Sequence, residues 1–256
     1  MPLPGLLNIS EENMVNKSIY DDITFFSSYL KAQDERAAGD MNAFAIPEQY
    51  ALLPIMEGLS VIDMGCGTGD FLRYAARNGA GRLVGLDSSE RMIREALKRS
   101  EDYEIDYICG DFATASETEA FDLCFSSLAF HYVSDISALF NRISRLLRQD
   151  GTLIFSVEHP VASAQLARWH ADEKANETWG VEGYLAEGER KSRWFGQEAI
   201  KFHRPFSSWF NALQTAGFRL TNISEPCPSQ NTLDIRRKAG LASDRPAFIV
   251  FKAIKA

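Results

Sequence analysis

The sequence predicts an α/β fold, a doubly wound and mostly parallel sheet with helices on both faces. Three observations predict it. Short apolar runs alternate with amphipathic segments over residues 60–158, the pattern of successive strand–helix units. A glycine turn follows the first apolar run directly, at Gly65, Gly67 and Gly69. Polar residues, Asp63, Asp87, Asp111 and Ser126, then recur at the carboxyl ends of four successive runs, where open α/β sheets bind their ligands.

The first unit is Val61-Ile62-Asp63-Met64, then Gly65-Cys66-Gly67-Thr68-Gly69, then an amphipathic stretch from Asp70. Glycine accepts positive φ and lets a ligand lie against bare main chain. The helix that follows presents unpaired N–H groups at its start. Such a turn builds a nucleotide-sized pocket. A dinucleotide fingerprint, G-x-G-x-x-G, needs a glycine at position 70, where this chain has Asp70. The pattern is instead G-x-G-x-G with Asp63 two residues ahead.

Arg82 to Asp87 reads as the second strand, and Asp87 falls about twenty residues past the glycines, where a carboxylate accepts from a ribose diol. Ser88-Ser89-Glu90 caps a helix with Met92, Ile93, Ala96 and Leu97 on its apolar face. Ile105 to Phe112 is the third unit and ends in Gly110-Asp111-Phe112. Phe121 to Ser127 is the fourth strand, with an exit loop to Val133. Ser134 or Asp135 caps the next helix, whose buried stripe is Ile136, Leu139, Phe140, Ile143, Leu146 and Leu147. Asp150-Gly151 closes it and Thr152 to Val157 is a fifth strand. Near the end, Ser207 to Ala216 reads as a helix stopped by Gly217, and Phe218 to Ile223 and Pro246 to Ile254 as strands.

These motifs resemble those of the class I S-adenosylmethionine-dependent methyltransferases, closest to the broad type-11 group acting on small molecules, over roughly residues 15–256. The resemblance implies a Rossmann-like sheet of about seven strands with one antiparallel strand near the C-terminus. It implies one domain over 1–256: an N-terminal helical lid (15–57), a cofactor-binding core (58–158), a substrate cap insertion (159–205) and a closing helix and strands (206–256). The implied cofactor set is Asp63, Gly65, Cys66, Gly67 and Gly69 in and before the turn that holds the methionine part, Asp87 on the ribose, and Ser88 and Met92 just after it. Asp111 would accept from the adenine amino group and Phe112 would pack along the ring. Ser126, Ser127 and His131 would lie near the methionine amine and the transferred methyl. Tyr20, Tyr29 and Arg36 would either meet the methionine carboxylate or belong to a plain amphipathic helix docked on the core.

The reaction implied is methyl transfer from S-adenosylmethionine, giving S-adenosylhomocysteine, to an oxygen or nitrogen of a small metabolite. The methyl is already electrophilic, so in-line alignment is the main task. Where the acceptor must lose a proton, His131 and His159 at strand ends are candidate bases, with Glu158 orienting His159 or replacing it. For each histidine taken alone, the structural reading, a ring bonded to backbone, stands ahead of the base. Residues 158–205 are dense in aromatics (Trp169, Trp179, Tyr184, Trp194, Phe195) with His159, His170 and His203, suiting a pocket wall for an aromatic, moderately apolar acceptor. A structural cap or a dimer surface is the alternative. Two other functions stand beside this one: a nicotinamide-dependent oxidoreductase, opposed by Asp70, and a non-catalytic S-adenosylmethionine-binding protein.

Composition narrows the partners. A net charge of −8 argues against a nucleic-acid substrate. Cys66, Cys109, Cys124 and Cys227 have neither paired nor metal-ligand spacing, and the histidines form no metal motif, so no metal and reduced thiols are expected. No apolar run spans a bilayer and the start lacks a charged leader, so a cytoplasmic monomer or homodimer is expected.

Overall fold

The computed structural model describes residues 18–37, 45–115, 118–164, 168–171, 177–227 and 246–256. A 3-10 turn at Ile19–Asp21 leads into α1 (Ile23–Ala37), and the Asp22 carboxylate accepts from the Thr24 and Phe25 N–H groups to start that helix. α2 (Ala45–Ala51) precedes β1 (Ser60–Met64), α3 (Asp70–Arg77), β2 (Arg82–Asp87), α4 (Glu90–Arg99), β3 (Asp106–Cys109), β4 (Phe121–Ser127), α5 (Ile136–Leu146) and β5 (Leu147–Glu158). Next come α6 (Pro160–Ser163), β6 (Arg168–Ala171), β7 (Glu177–Gly180), β8 (Gly188–Trp194) and β9 (Gln197–His203). The last elements are α7 (Phe206–Thr215), β10 (Phe218–Ser224) and β11 (Phe248–Lys255).

The main sheet has seven strands in the order β10-β11-β5-β4-β1-β2-β3. Pairs β1–β2, β1–β4, β2–β3 and β4–β5 are parallel, and β11 runs antiparallel to both β5 and β10. The Rossmann-like expectation, with one reversed strand near the C-terminus, therefore holds. The chain order reverses between β1 and β4, which places the crevice at the ends of Met64, Asp87 and Ser127.

Two apolar layers hold the sheet. One packs Phe130, Phe140, Phe155, Trp209 and Phe251 against α5 and α7; the other packs Leu72, Phe71, Ile93 and Phe125 beneath α3 and α4. Phe71 and Phe125 stack with centroids 3.6 Å apart, which fixes α3 against β4. The α5 stripe of Ile136, Leu139, Phe140, Ile143 and Leu146 is buried as its spacing predicts. Asp135 caps that helix, its carboxylate accepting from Ala138 N–H at 2.9 Å.

Three details differ from the sequence reading. Leu97 is half exposed while Met92, Ile93 and Ala96 are buried, because α4 lies on the sheet along a narrower stripe. β5 begins at Leu147 rather than Thr152. Leu147 pairs with Phe121, the register then jumps to Leu123↔Thr152, and the extra residues loop out through Asp150 at φ +60°. The insertion after β5 is built from two antiparallel hairpins, β6–β7 and β8–β9.

Candidate active site

The glycine turn is a nest held by its neighbours on the rim. Gly65 and Cys66 donate to Leu86 O at 2.7 and 3.0 Å, tying the turn to the end of β2. Gly65, Gly67 and Gly69 have φ of +83°, +52° and +78°, and Gly69 forms the N-cap of α3. Side chains close two of these positions. A Cβ at Gly65 would overlap that of Ala129, and one at Gly69 would overlap the Tyr107 hydroxyl. A Cβ at Gly67 would meet nothing within 4 Å, so this residue presents bare main chain to open space.

Asp87 closes the nest. Its Oδ2 accepts from Gly67 N–H and its Oδ1 from Ser89 N–H, both at 2.9 Å. Each carboxylate oxygen keeps a second lone pair, so a diol remains within its capacity. Burial pushes the Asp87 carboxyl up, opposed by those two N–H groups. Ser89 caps α4 through Met92 N–H at 3.2 Å, and its hydroxyl donates to Asp21 Oδ1 at 2.8 Å. Asp21 was not singled out from the sequence. It also accepts from the Arg91 backbone, and the Arg91 side chain donates to its carbonyl, which docks the N-terminal turn on α4.

Asp63 sits beneath the turn, 3% exposed, with no hydrogen bond or ion pair to its carboxylate among the described residues. Burial pushes its carboxyl well above the usual range, and the charges of Asp87 and Asp70 push it further. Three carboxylates thus share one cleft, a field that favours a cation. Asp70 is partly answered by an ion pair to Arg73, which also donates to Thr68 O at 2.6 Å and braces the turn from below. Gln33 of α1 donates to Asp70 Oδ2 at 3.2 Å, so α1 lies over the glycines.

The remaining predicted residues fall around the same crevice. Cys66 and Met92 are buried and Ser88 is exposed. Asp111 is exposed past β3, its Oδ1 accepting from Ala113 N–H at 2.8 Å in a local turn. Phe112 stands edge-on to Phe130 at 5.6 Å. Ser126 is fully buried and donates to Met64 O at 2.6 Å, while Ser127 is half-buried opposite Ser156. Gln49 of α2, missed in the sequence, bridges this end of the sheet. It donates to Ser126 O at 3.0 Å and accepts from the Ser156 hydroxyl at 3.1 Å. That bridge fixes Leu128, which takes φ +55° at the exit of β4 and donates to Ser156 Oγ. Only tertiary contact gives Gln49 a role, so no local signal marked it.

Tyr20 and Tyr29 share a ring cluster with Phe25, Trp194 and Tyr132, with edge-on contacts of 5.1 to 6.5 Å around Tyr20. Burial raises the Tyr20 phenol well above its ordinary value. The Arg36 side chain lies outside the described residues, as do the side chains of Trp169, His170 and Trp179.

The histidines are engaged. His131 is buried and its Nδ1 accepts from Glu158 N–H at 3.3 Å; burial lowers its pKa to about 4, so the ring is neutral with the proton on Nε2. His159 Nδ1 accepts from Val161 N–H at 3.1 Å, capping α6, and Nε2 faces Glu225 Oε1 at 2.7 Å. Glu158 accepts from Lys201 Nζ at 2.9 Å. Glu158 and His159 are therefore adjacent in sequence but served by different partners. No group of acids, cysteines and histidines among the described residues is arranged to hold a metal. No described helix is long and apolar enough to cross a membrane.

Comparison with known proteins agrees with this architecture. A family model described as "Methyltransferase domain" matches residues 62–155, the span from β1 through β5. An uncharacterized protein of Haemophilus influenzae is 32% identical over 230 residues, covering 83% of this chain and 88% of that one. A crystal structure of an S-adenosylmethionine dependent methyltransferase from Mesorhizobium loti is 36% identical, with a TM-score of 0.76, and covers 84% of this chain and 100% of that one. A malonyl-[acyl-carrier protein] O-methyltransferase of Pectobacterium atrosepticum matches over 128 residues at 31% identity, 47% of this chain and 49% of that one. The chain belongs to the S-adenosylmethionine-dependent methyltransferases, in the class I, type-11 group.

Proposed function

We propose that this protein methylates an oxygen or nitrogen of a small molecule, with the cofactor held along the rim from β3 to β4. The carrying observation is the acidic glycine turn, where Asp63, Asp70 and Asp87 converge on an open main-chain surface. S-adenosylmethionine brings a sulfonium and an ammonium, both suited to that field. A dinucleotide would bring a pyrophosphate, which the same field repels and for which the glycine spacing is wrong.

In this reading Asp87 holds the ribose diol while Gly67 leaves room for the cofactor tail, and Asp63 answers its ammonium. Asp111 and Phe112 take the adenine edge and face. The tail then runs over β1 toward Ser127, which directs the reactive methyl to the side bounded by Tyr20, His131, Tyr132 and Glu158. The 3-10 turn and α1 serve as a lid, since Asp21 and Gln33 bind the rim on either side of the turn. The bound cofactor supplies an electrophilic methyl group. The chain's contribution is to align the acceptor, exclude water with its aromatic cluster and balance the charge. The Pectobacterium relative, an O-methyltransferase, supports an oxygen acceptor.

Calorimetry tests the cofactor assignment. S-adenosylhomocysteine is expected to bind and NADH to give no heat; the reverse result overturns the reading. Asp87→Ala removes the acceptor of two backbone N–H groups and of the diol. Its S-adenosylhomocysteine affinity is expected to fall by about 1–3 kcal/mol, roughly 5- to 150-fold, measured by the same titration. Unchanged affinity would remove Asp87 from the site.

A further inference from the structure

We infer that the group methylated is a carboxylate, held by Lys201 and Arg190 on the inner face of the β8–β9 hairpin and requiring no base. The inference rests on the proposed function and narrows its acceptor.

The hairpin closes at Phe195-Gly196, with φ of +45° and +80°, and burial alternates residue by residue along β8. Arg190, Ser192 and Trp194 of β8 face inward with Ala199, Lys201 and His203 of β9. Trp194 reaches the ring cluster of Tyr20, Phe25 and Tyr29, which brings this face over the methyl side of the crevice. Arg190 and Lys201 are direct cross-strand partners. Like charges in that relation oppose strand pairing, so the arrangement has a cost that an anion between them would relieve.

Neither cation is fully answered. Arg190 spends its terminal nitrogens on the carbonyls of Glu189 and Ala186, and its Nε–H is buried with no partner among the described residues. Lys201 Nζ bonds Glu158 Oε1 and lies 5.9 and 5.5 Å from the ring centroids of Tyr132 and Trp194. Glu158 is the one carboxylate bonded to either cation among the described residues, since Glu187, which acts on His203 beside Arg190, bonds Ser208; Arg190 is left without a carboxylate for an incoming anion to supply. Cationic donors bind carboxylates through charge-assisted hydrogen bonds.

Among the described residues of this wall, the one carboxylate, Glu158, is held by Lys201, and the histidines and phenols are engaged as well. The Nδ1 lone pairs of His131 and His159 are taken by backbone N–H groups. His203 donates from Nε2 to Tyr184 O at 2.9 Å and faces the Ser163 hydroxyl with Nδ1 at 2.8 Å. Tyr20 and Tyr132 face one another at 3.5 Å, and burial raises both phenols, so they stay protonated. Alcohols and ammonium groups must lose a proton before or during transfer; a carboxylate arrives without one. Its oxygen lone pair forms the new O–C bond as the S–C bond breaks, with that electron pair staying on sulfur. The products are a neutral ester and a neutral thioether, and no proton moves. The aromatic walls then serve the rest of the acceptor, while the reacting end is charged.

The test uses the full chain, S-adenosylmethionine with a tritiated methyl group, and a deproteinised bacterial metabolite extract as the source of acceptors. Transferred label should be released as volatile methanol by mild alkali, the behaviour of a methyl ester. Base-stable label overturns the inference and leaves the methyltransferase reading intact. No transfer by protein that binds S-adenosylhomocysteine overturns the small-molecule transferase reading itself. Lys201→Met should lower kcat/KM about 10- to 100-fold, the loss of a charge-assisted hydrogen bond, with S-adenosylhomocysteine affinity within about twofold and Lys201→Arg partly restoring transfer. Wild-type transfer by a folded Lys201→Met protein counts against it. Because a carboxylate acceptor is already ionised, kcat/KM should stay flat from about pH 6 to 8.5. Independently of turnover, nitrogen NMR should show His131 neutral and protonated on Nε2 across that range; a midpoint near neutrality would supply a base and sink the argument.

Discussion

Gly67→Val is expected to leave a folded protein that no longer binds S-adenosylhomocysteine, a loss of at least about 100-fold. The variant separates two demands that glycine meets in the turn. An added Cβ at position 67 finds nothing within 4 Å, so the side chain does not collide with the protein. What it does meet is backbone strain, because φ is +52° and a β-branched residue there costs about 1–2 kcal/mol. A protein of this size has roughly 5–15 kcal/mol to lose, so the native state survives. The branched side chain instead fills the space above the turn that the cofactor tail requires. Gly65 and Gly69 behave differently, because their missing side chains would run into Ala129 and Tyr107. Substitution there should lower the melting temperature sharply, and lost binding would say little. Paired calorimetry and thermal melts of all three variants check the contrast, and Gly67→Val binding within about fivefold of wild type would refute the proposed occupant of that space.

The legible and illegible parts of this chain divide along the range of the interactions involved. The glycine turn, Asp87 and the α5 stripe were readable because each marks a break or a period within one segment. The reversal of the last strand came from resemblance to a family, since Phe248–Lys255 meets its partners β5 and β10 only when distant parts of the chain have folded together. The start of β5 was hidden because Arg148-Gln149-Asp150-Gly151 looks like a helix end, whereas the structure loops those residues out of a strand. The β8–β9 hairpin was hidden for two reasons. Gly188–Trp194 is polar at almost every position, and its turn uses Phe195 where asparagine or aspartate is usual. Arg190 and Lys201 become neighbours only through that register. The histidines' place after strand ends is legible in the sequence, but whether a ring is a base or a backbone acceptor depends on which N–H packs against it. That is tertiary information.

Asp63→Asn is expected to stabilise the protein alone while weakening its hold on S-adenosylhomocysteine. The carboxylate is nearly inaccessible, has no partner among the described residues, and feels Asp87 and Asp70. Its folded pKa is raised, so between the unfolded value, near 3.9, and the folded value the native state holds the extra proton. Stability contributed by the protonated group is complete below the unfolded value and is lost as pH rises through the folded one. At neutral pH, above the unfolded value, the group therefore subtracts from stability whether it keeps its proton or buries its charge, and an isosteric amide removes that cost. A gain of about 1–3 kcal/mol, several degrees in melting temperature, is expected at pH 7. The gain should shrink as pH falls toward the unfolded value, where both side chains are neutral. Saturating S-adenosylhomocysteine should reverse the order, because its ammonium compensates the carboxylate and not the amide. An Asp63→Asn protein that melts lower than wild type at pH 7 without ligand would mean that the charge is already balanced within the protein. Equal ligand-induced shifts in the two proteins would detach Asp63 from the cofactor. The combination expected, a more stable protein that binds less tightly, identifies a charge kept in the core for its ligand and against its own fold.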